Sequence, residues 1–477
     1  MTTALNRHSV NRASLILVTA MVGENKSAVI PRLRALLDGR VIVPGDAGYD
    51  EARHTFYGGI DNRPMVIARV RNATEVAGVI ALARETGVEL AVRSGGHSVV
   101  GHSASDHGIV LDLKEMRAID IDVDERTAWA GTGMTAIEYT TAAGAQGLAT
   151  GFGDTGSVGI GGITLGGGVG YLVRKHGLTI DALLAADVVT ADGRLLHVDA
   201  QTHPDLFWAI RGGGGNFGVA TRFKLRLVPV VPFVGGLLML PATPDVIESF
   251  IALAGAAPDE LSTIANVMPA PAMPMVPAEH HGKLVIFGML AYSGAVDEGE
   301  RVIAPFRALA TPLVDEVKPM AYAGMYPPDD PSYQPIGANR TMFVDAIDRR
   351  AAETIVEHLT SSTGYLSVAQ LRVLGGAMAR VPSDATAFAH RDRRIMVNLA
   401  ALYERPEDAP VHEAWVDRFK AALDQGGGAY VNFLAQDGQA RVGEAYPGPT
   451  WDRLVAIKRR YDPANVFRLN VNIPPAG

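Results

Sequence analysis

An α+β fold in two domains is what this sequence predicts, and three observations lead to it. The chain has 477 residues, more than one compact core holds. Its middle third alternates strand-like apolar runs with amphipathic helices, which suits an antiparallel sheet covered by helices on one face. Its first half crowds glycine into three clusters between 95 and 218, without low complexity or an internal repeat. Glycine weakens regular structure, so such clusters mark backbone packed closely against a flat or charged ligand.

The elements follow in order. Ala13 to Gly23 is mostly apolar and comes after Arg7 and Arg12, a faint likeness to a signal sequence. It lacks a small-x-small cleavage site and a twin arginine, and it is too short to span a bilayer. A cytoplasmic protein is expected, with export left open and with a helix or upstream extension before Met21. The next helix starts at Asn72 with Glu75 in a capping-box-like arrangement, shows Val76, Val79, Ile80 and Ala83 on one face, and ends at Gly87. The apolar run ending at Val92 is a strand that empties into Arg93, Ser94, Gly95, Gly96, His97 and Ser98. Paired glycines there expose consecutive backbone N–H groups, a nest for phosphate, with the His97 imidazole at its rim. An ordinary tight turn with an incidental histidine is the bland alternative. A metal site is the other rival, since His102 and His107 follow at five-residue intervals. In extended backbone that odd spacing sends neighbours to opposite faces, which argues against a metal.

The second cluster runs from Gly151 through Gly153, Asp154, Gly159 and Gly162 to Gly170, then to Arg174, Lys175 and His176. The third holds a literal GxGxxG at Gly213, Gly215 and Gly218. It follows the helix-like Asp205 to Ile210 and precedes the strand-like Val219 to Leu225. A dinucleotide fingerprint needs a strand before it and a helix after it, so a Rossmann NAD or FAD site is rejected. Ala186 to Thr190 and Leu195 to Val198 flank Asp192-Gly193, a hairpin signal, and Leu227 to Pro232 reads as a linker. Beyond it come strands at Lys283 to Leu290, Val368 to Val373 and Met396 to Leu402. Helices are expected at Gly299 to Ala310 and Val411 to Leu423.

Three segments taken together, Arg93 to Ser98, Gly151 to Gly170 and the closing Tyr461 to Pro475, resemble the berberine bridge enzyme-like flavoproteins. These form part of the vanillyl-alcohol oxidase superfamily with its PCMH-type FAD-binding domain, and the pattern here is nearest to that of the nicotine-oxidising members. The resemblance covers most of the chain, most strongly 40–230 and 428–475. It implies an N-terminal extension and first helix over 1–35, an FAD domain over 36–230 and a substrate domain over 231–427. In the last of these a mainly antiparallel sheet roofs the flavin, and 428–477 returns to the FAD domain.

The resemblance also implies roles. His97 matches the histidine that bonds FAD covalently. Many relatives add a cysteinyl bond at the position held here by Thr155; this chain has no cysteine, so the flavin would be monocovalent. Arg93 to Ser98, Gly153, Asp154, Val158, Gly159, Gly162, Val219, Asn432, Asn470 and Asn472 would bind the cofactor. Tyr430, in the Tyr-x-Asn-aromatic motif with Asn432, would lie beside the flavin as base or substrate-orienting group. An ordinary phenol titrates near ~10, so it is a base only if a cation or donor stabilises the phenolate. A core aromatic is the bland reading. Plant relatives use a tyrosine where this chain has Val169, so their mechanism does not transfer. Tyr322, Tyr326, Gln370, His390 and Arg391 are further substrate-side candidates, and an amine substrate can need no base. Val158 matches a position over the flavin C4a edge, where a small side chain admits dioxygen.

The expected activity is therefore hydride transfer from a small organic alcohol or amine to FAD and on to dioxygen, giving hydrogen peroxide. A dehydrogenase with another electron acceptor and an inert flavin-binding protein are the alternatives. Composition agrees with a globular enzyme: 48% hydrophobic and 20% charged residues. A net charge of −8 without a basic stripe argues against nucleic acid or anionic membrane partners. Substrate identity and oligomeric state are not readable from the residues.

Overall fold

The computed structural model describes residues 27–326, 328, 330, 332–435 and 438–475. The apolar stretch Ala13 to Gly23 lies outside the described residues. A small mixed sheet comes first, in the order Val41–Ile42, Val66–Arg69, Ile109–Asp112, Leu90–Arg93, with the last two pairings parallel. The helix Ala73–Thr86 covers it. Its start is capped as the sequence predicts, the Asn72 side chain accepting the Glu75 N–H at 3.0 Å, and Gly87 ends it at φ +67°. Val76, Val79, Ile80 and Ala83 are buried against Leu90, Ile109 and Leu111 in one cluster. Because strand Leu90–Arg93 is fixed on its sheet, the turn that follows it has a defined exit, with Gly96 at φ +74°.

A five-stranded antiparallel sheet follows, ordered Ile119–Asp122, Thr127–Gly131, Val219–Arg226, Leu183–Val189, Leu195–Asp199. The predicted hairpin turns at Gly193, φ +84°. Tyr139, Phe152, Trp208 and Phe223 share one core with Leu454, Ile457 and Tyr461 of the helix Pro449–Tyr461 and with Ile473. The C-terminal tail is thus built into this layer. Lys458, fully buried, holds it there: its ammonium donates to Asp462 at 2.7 Å and to the carbonyls of Asn216 and Phe467 at 2.8 and 2.9 Å.

The large antiparallel sheet is ordered Val314–Asp315, Val234–Pro241, Leu284–Tyr292, Leu261–Pro269, Leu366–Val373, Ile395–Tyr403, Ile336–Val344, and Lys318–Pro319 also pairs with Val234–Pro241. Helices Pro244–Ala256, Val296–Arg307, Arg349–Thr360 and Ala409–Leu423 bury Phe250, Phe306, Ile355 and Trp415 against Ile286, Leu371, Val397 and Met342. Helix cover on one face is the α+β arrangement the sequence predicts. Period-two alternation sends the neighbours of Leu371 and Val397 to the other face. Two buried arginines join the layers. Arg174 donates to the carbonyls of Leu374 and Ala257, and Arg391 grips Asp181 with both arms at 2.8 Å. Removing one partner of such a buried pair costs about 3–5 kcal/mol, because the other charge is left stranded.

Candidate functional site

All three glycine clusters converge on one cavity of about 320 Å³, which the uncovered face of the large sheet and the C-terminal tail help to close. The first and second clusters are in backbone contact: a Cβ on Gly95 would overlap the Gly159 amide, and one on Gly159 would overlap Gly95. Ser94 stitches the same junction, its hydroxyl donating to the Thr132 carbonyl at 2.6 Å and accepting the Gly161 N–H at 3.3 Å. Gly162 and Gly215 differ in kind. Both line the cavity, and a Cβ on either would meet no protein atom within 4 Å, so each leaves the cavity open right up to the backbone.

His97 lines the cavity with its ring stacked on Phe56, centroids 4.2 Å apart, and the Phe56 N–H is tied to the Gly96 carbonyl at 3.1 Å. The expectation that His102 turns away from His97 needs correction. The chain from 94 to 108 is turn and bend rather than extended, so the odd spacing does not alternate faces, and both histidines line the cavity. Burial alone pushes the His102 imidazole down to about 4, keeping it neutral. His107 is solvent-exposed beside Asp106. Among the described residues no group of three or more His, Cys, Asp or Glu is placed to hold a metal.

Tyr430 is fixed from two sides. Its hydroxyl oxygen accepts the Gly168 N–H and the Asn432 side-chain amide, each at 2.9 Å, and that amide also donates to the Ile163 carbonyl at 3.2 Å. Gly166 is a glycine because Asn432 occupies the place of its Cβ. Burial raises the phenol above its ordinary value; the two donors and the nearby Arg372 charge oppose that rise without cancelling it. With both lone-pair positions taken, the phenol can donate into the cavity. Loss of its proton would leave a phenolate already held by two N–H groups.

Arg372 and Phe433 are cavity residues that sequence reasoning missed, as are Phe56 and Tyr57. Arg372 donates to Asp154 at 2.7 Å, to the Val169 carbonyl at 2.8 Å and to the Gln370 side chain, and its guanidinium lies 5.4 Å from the Phe433 ring centroid. The signal available for it was its place two residues from Gln370 in a strand, hence on the same face. Burial, with Asp154 and Tyr333 adding to it, pushes the Tyr57 phenol up to about 12.

Of the other residues singled out, Ser94, Gly95, Gly96, Ser98, Gly153, Asp154 and Thr155 line the cavity. So do Val158, Gly159, Val169, Val219, Asn432 and Asn470. Arg93 does not; it is buried and ion-paired with Asp112 at 3.0 Å, bracing the strand behind the turn. Asn472 stands outside the lining, its side-chain oxygen buried without a hydrogen-bond partner. Tyr322 and Tyr326 lie in a separate buried cluster, hydroxyls 3.2 Å apart, and Tyr326 donates to the Gly153 carbonyl. His390 bonds the Glu444 carbonyl at 2.9 Å and Arg391 serves Asp181. Gln370 meets the cavity through Arg372. Among the described residues no helix is long and apolar enough to cross a membrane.

Comparison with known proteins gives the site its context. Residues 64–199 match an FAD-binding-domain family model and 429–474 match the berberine and berberine-like model. The chain is 30% identical over 462 residues to (R)-6-hydroxynicotine oxidase of Paenarthrobacter nicotinovorans, covering 92% of this chain and 98% of that protein. It is 27% identical over 452 residues to xylooligosaccharide oxidase of Thermothelomyces thermophilus, covering 87% of this chain and 88% of the relative. The crystal structure of 6-hydroxy-D-nicotine oxidase from Arthrobacter nicotinovorans superposes with a TM-score of 0.80 at 28% identity, over 91% of this chain and 98% of that one. The α+β architecture is therefore the PCMH-type FAD-binding fold.

The residues present fit FAD. Glycine backbone from three segments leaves unfilled space at Gly162 and Gly215. The buried side-chain oxygens of Ser103 and Asn470, both at the cavity wall, have no protein partner. His97 and Tyr430 would both face a flavin held there.

Proposed function

The chain belongs to the berberine bridge enzyme-like FAD-linked oxidoreductases, and we propose that it is an oxidase whose FAD is bonded to His97. Its substrate on this reading is a small organic alcohol or amine, and its second product hydrogen peroxide. The observation that carries the proposal is one cavity lined by His97, Val158 and Tyr430, with the Tyr430 hydroxyl held by two N–H donors.

A bound FAD would supply the acceptor for a hydride from the substrate carbon and the route for its two electrons to dioxygen. The protein supplies the rest. His97 would hold the cofactor through a ring nitrogen, and stacking on Phe56 fixes the plane of the imidazole. Tyr430 orients the substrate hydroxyl or amine and takes its proton at the phenolic oxygen, general-base help worth about 10²–10⁴-fold. Asn432 and the Gly168 N–H hold that oxygen in place and stabilise its phenolate, the form that can take the proton. Arg372 adds positive charge nearby, and its pairing with Asp154 keeps the guanidinium from swinging into the substrate's place. Val158, small and at the cavity wall, supports access for dioxygen and so favours an oxidase over a dehydrogenase. The test is direct: enzyme reduced with one equivalent of dithionite is exposed to air. Rapid return of the oxidised flavin spectrum with stoichiometric peroxide is expected; slow return without peroxide would replace the oxidase reading by the dehydrogenase one.

A further inference from the structure

We propose that the segment joining strands Leu261–Pro269 and Leu284–Tyr292 is a peroxide-sensitive modification site. Met275 takes up oxygen first, Met273 and Met268 follow, and oxidation of these inner two loosens the corner of the sheet beneath them. Hydrogen peroxide is the enzyme's own product under the oxidase reading, and for its source of oxidant the proposal rests on that reading. The chain has 15 methionines and no cysteine, so a thioether is the only protein sulfur that peroxide can meet. Three of the methionines fall in this one short segment, interleaved with Pro269, Pro271, Pro274 and Pro277.

Exposure and backbone freedom set the order. Among the described methionines Met275 alone is exposed, at 46%, while Met134, Met239, Met325, Met342, Met378 and Met396 are buried. Met268 and Met273 are part-buried, as are Met65, Met116, Met289 and Met320. What separates Met268 and Met273 from the others is their backbone. Proline has no N–H to give to a ladder, so a segment with four of them opens locally more readily than a strand such as the one that holds Met289. The segment is nevertheless seated: the Ala270 N–H donates to the Lys283 carbonyl at 2.8 Å, and the Ala270 carbonyl accepts the Gly282 N–H at 3.0 Å.

The consequence follows from what Met268 and Met273 cover. Both pack against a satellite cluster of Met239, Ala270, Val276, Val285 and Val314, with Phe287 at its edge. Leu238, Leu240 and Ile286, which alternate with these strand residues, belong to the helix-covered core, so the cluster lies on the opposite face and the methionine segment is its cover. In the reaction a methionine Sδ lone pair attacks one peroxide oxygen. An S–O bond forms, the O–O bond breaks, and the other oxygen leaves as water with both protons; sulfur loses two electrons and peroxide gains them. The sulfoxide is polar and seeks a donor. The cluster offers it apolar side chains, so an oxidised Met268 or Met273 must turn outward and leave the cluster uncovered.

The test incubates the flavin-loaded enzyme, without substrate, in millimolar hydrogen peroxide and stops aliquots with catalase. Peptide mass spectrometry reads the oxygen gained by each methionine, and thermal melts are run on the same aliquots. Met275 is expected to gain oxygen first with the unfolding midpoint unchanged. Met273 and Met268 should follow, and the midpoint should drop by several degrees as they do. The double variant Met268→Leu with Met273→Leu, which conserves volume, should hold its midpoint under the same exposure while Met275 is still oxidised. The wild-type peptide map and melts decide the matter even where that variant does not fold. Oxygen appearing on Met65, Met116, Met289 or Met320 ahead of the three, full oxidation of Met268 and Met273 with the midpoint unmoved, or a folded double variant that drops as the wild type does each overturn the proposal. Added peroxide stands in for turnover, so this result and the dithionite and air experiment fail independently.

Discussion

Gly95 and Gly159 touch backbone to backbone, with no room for a Cβ on either. Each is locked from its own side, Gly95 by the strand Leu90–Arg93 and Gly159 by the helix Ile160–Gly166 that follows it. A methyl group at Gly95 therefore pushes one backbone against another, which cannot give as a flexible side chain would. Gly95→Ala is expected to yield protein with little or no bound flavin and a lowered unfolding midpoint. Gly162→Ala is the contrast: its Cβ meets no protein atom, so the apoprotein should melt as the wild type does while flavin content falls. Flavin-to-protein absorbance ratios and thermal melts of both variants check the pair. Equal flavin content in the two would remove the distinction between packing glycines and ligand-space glycines.

The tether predicts a simple behaviour. Wild-type protein precipitated with acid should keep its yellow colour in the pellet, and His97→Ala should release flavin to the supernatant. Phe56→Leu, which removes the stacked ring, should leave the bond possible but slow its formation when FAD is added to apoprotein. Flavin found entirely in the wild-type supernatant would end the covalent reading.

How much of this was legible follows from what each residue type must do. The glycine clusters announce themselves because close approach to backbone or ligand forces composition. Even the GxGxxG rejected as a Rossmann site puts Gly215 and Gly218 in the cavity wall, since its context excludes one fold and not the use of glycine. The helix from Asn72 to Gly87 was legible through its caps and its apolar face. Side chains reaching the cavity from distant strands were not. Arg372 stands in an ordinary strand sequence, and only the pairing of eight strands brings it to Asp154. Tyr322 and Tyr326 have the chemistry of substrate contacts, yet their residue type says nothing of which side of Gly153 they occupy. His102 misled because its spacing argument assumed extended backbone where the glycines make turns.

Val158 sets a prediction about dioxygen alone. Val158→Leu and Val158→Phe should slow reoxidation of the reduced flavin progressively, while anaerobic reduction by substrate or dithionite changes little. Stopped-flow mixing of reduced enzyme with aerated buffer measures it. Identical reoxidation in all three proteins would show that the side chain at 158 does not govern access.

His102 gives a pH dependence of stability. Its folded-state value of about 4 lies below the ordinary imidazole value of 6.5, so the unfolded chain binds the proton more readily. The contribution to stability is present in full above pH 6.5 and is lost as pH falls through the window down to about 4. His176, also held down to about 4 by burial, adds to the same slope. Apoprotein unfolding midpoints should therefore fall between pH 7 and pH 4.5, and His102→Gln should flatten part of that fall. A midpoint in His102→Gln with the full wild-type slope would assign the acid sensitivity elsewhere.

Tyr430 provides the sharpest test of mechanism. Its phenol is raised by burial, so at neutral pH the basic form is a minor population, and the Gly168 and Asn432 donors with Arg372 limit the rise. A base must be deprotonated to act; hence flavin reduction through Tyr430 should accelerate with pH, close to tenfold per unit below the phenol's value. Tyr430→Phe should lower the reduction rate by about 10²–10⁴-fold and abolish that pH dependence, leaving reoxidation by dioxygen unchanged. Asn432→Leu removes one donor and should shift the alkaline limb of the profile upward, since the phenolate loses one of its two N–H partners. Anaerobic stopped-flow reduction of the three proteins across pH decides it. If Tyr430→Phe keeps both the wild-type rate and the wild-type pH profile, Tyr430 takes no proton, and the substrate's own neutral form must supply the hydride without a base.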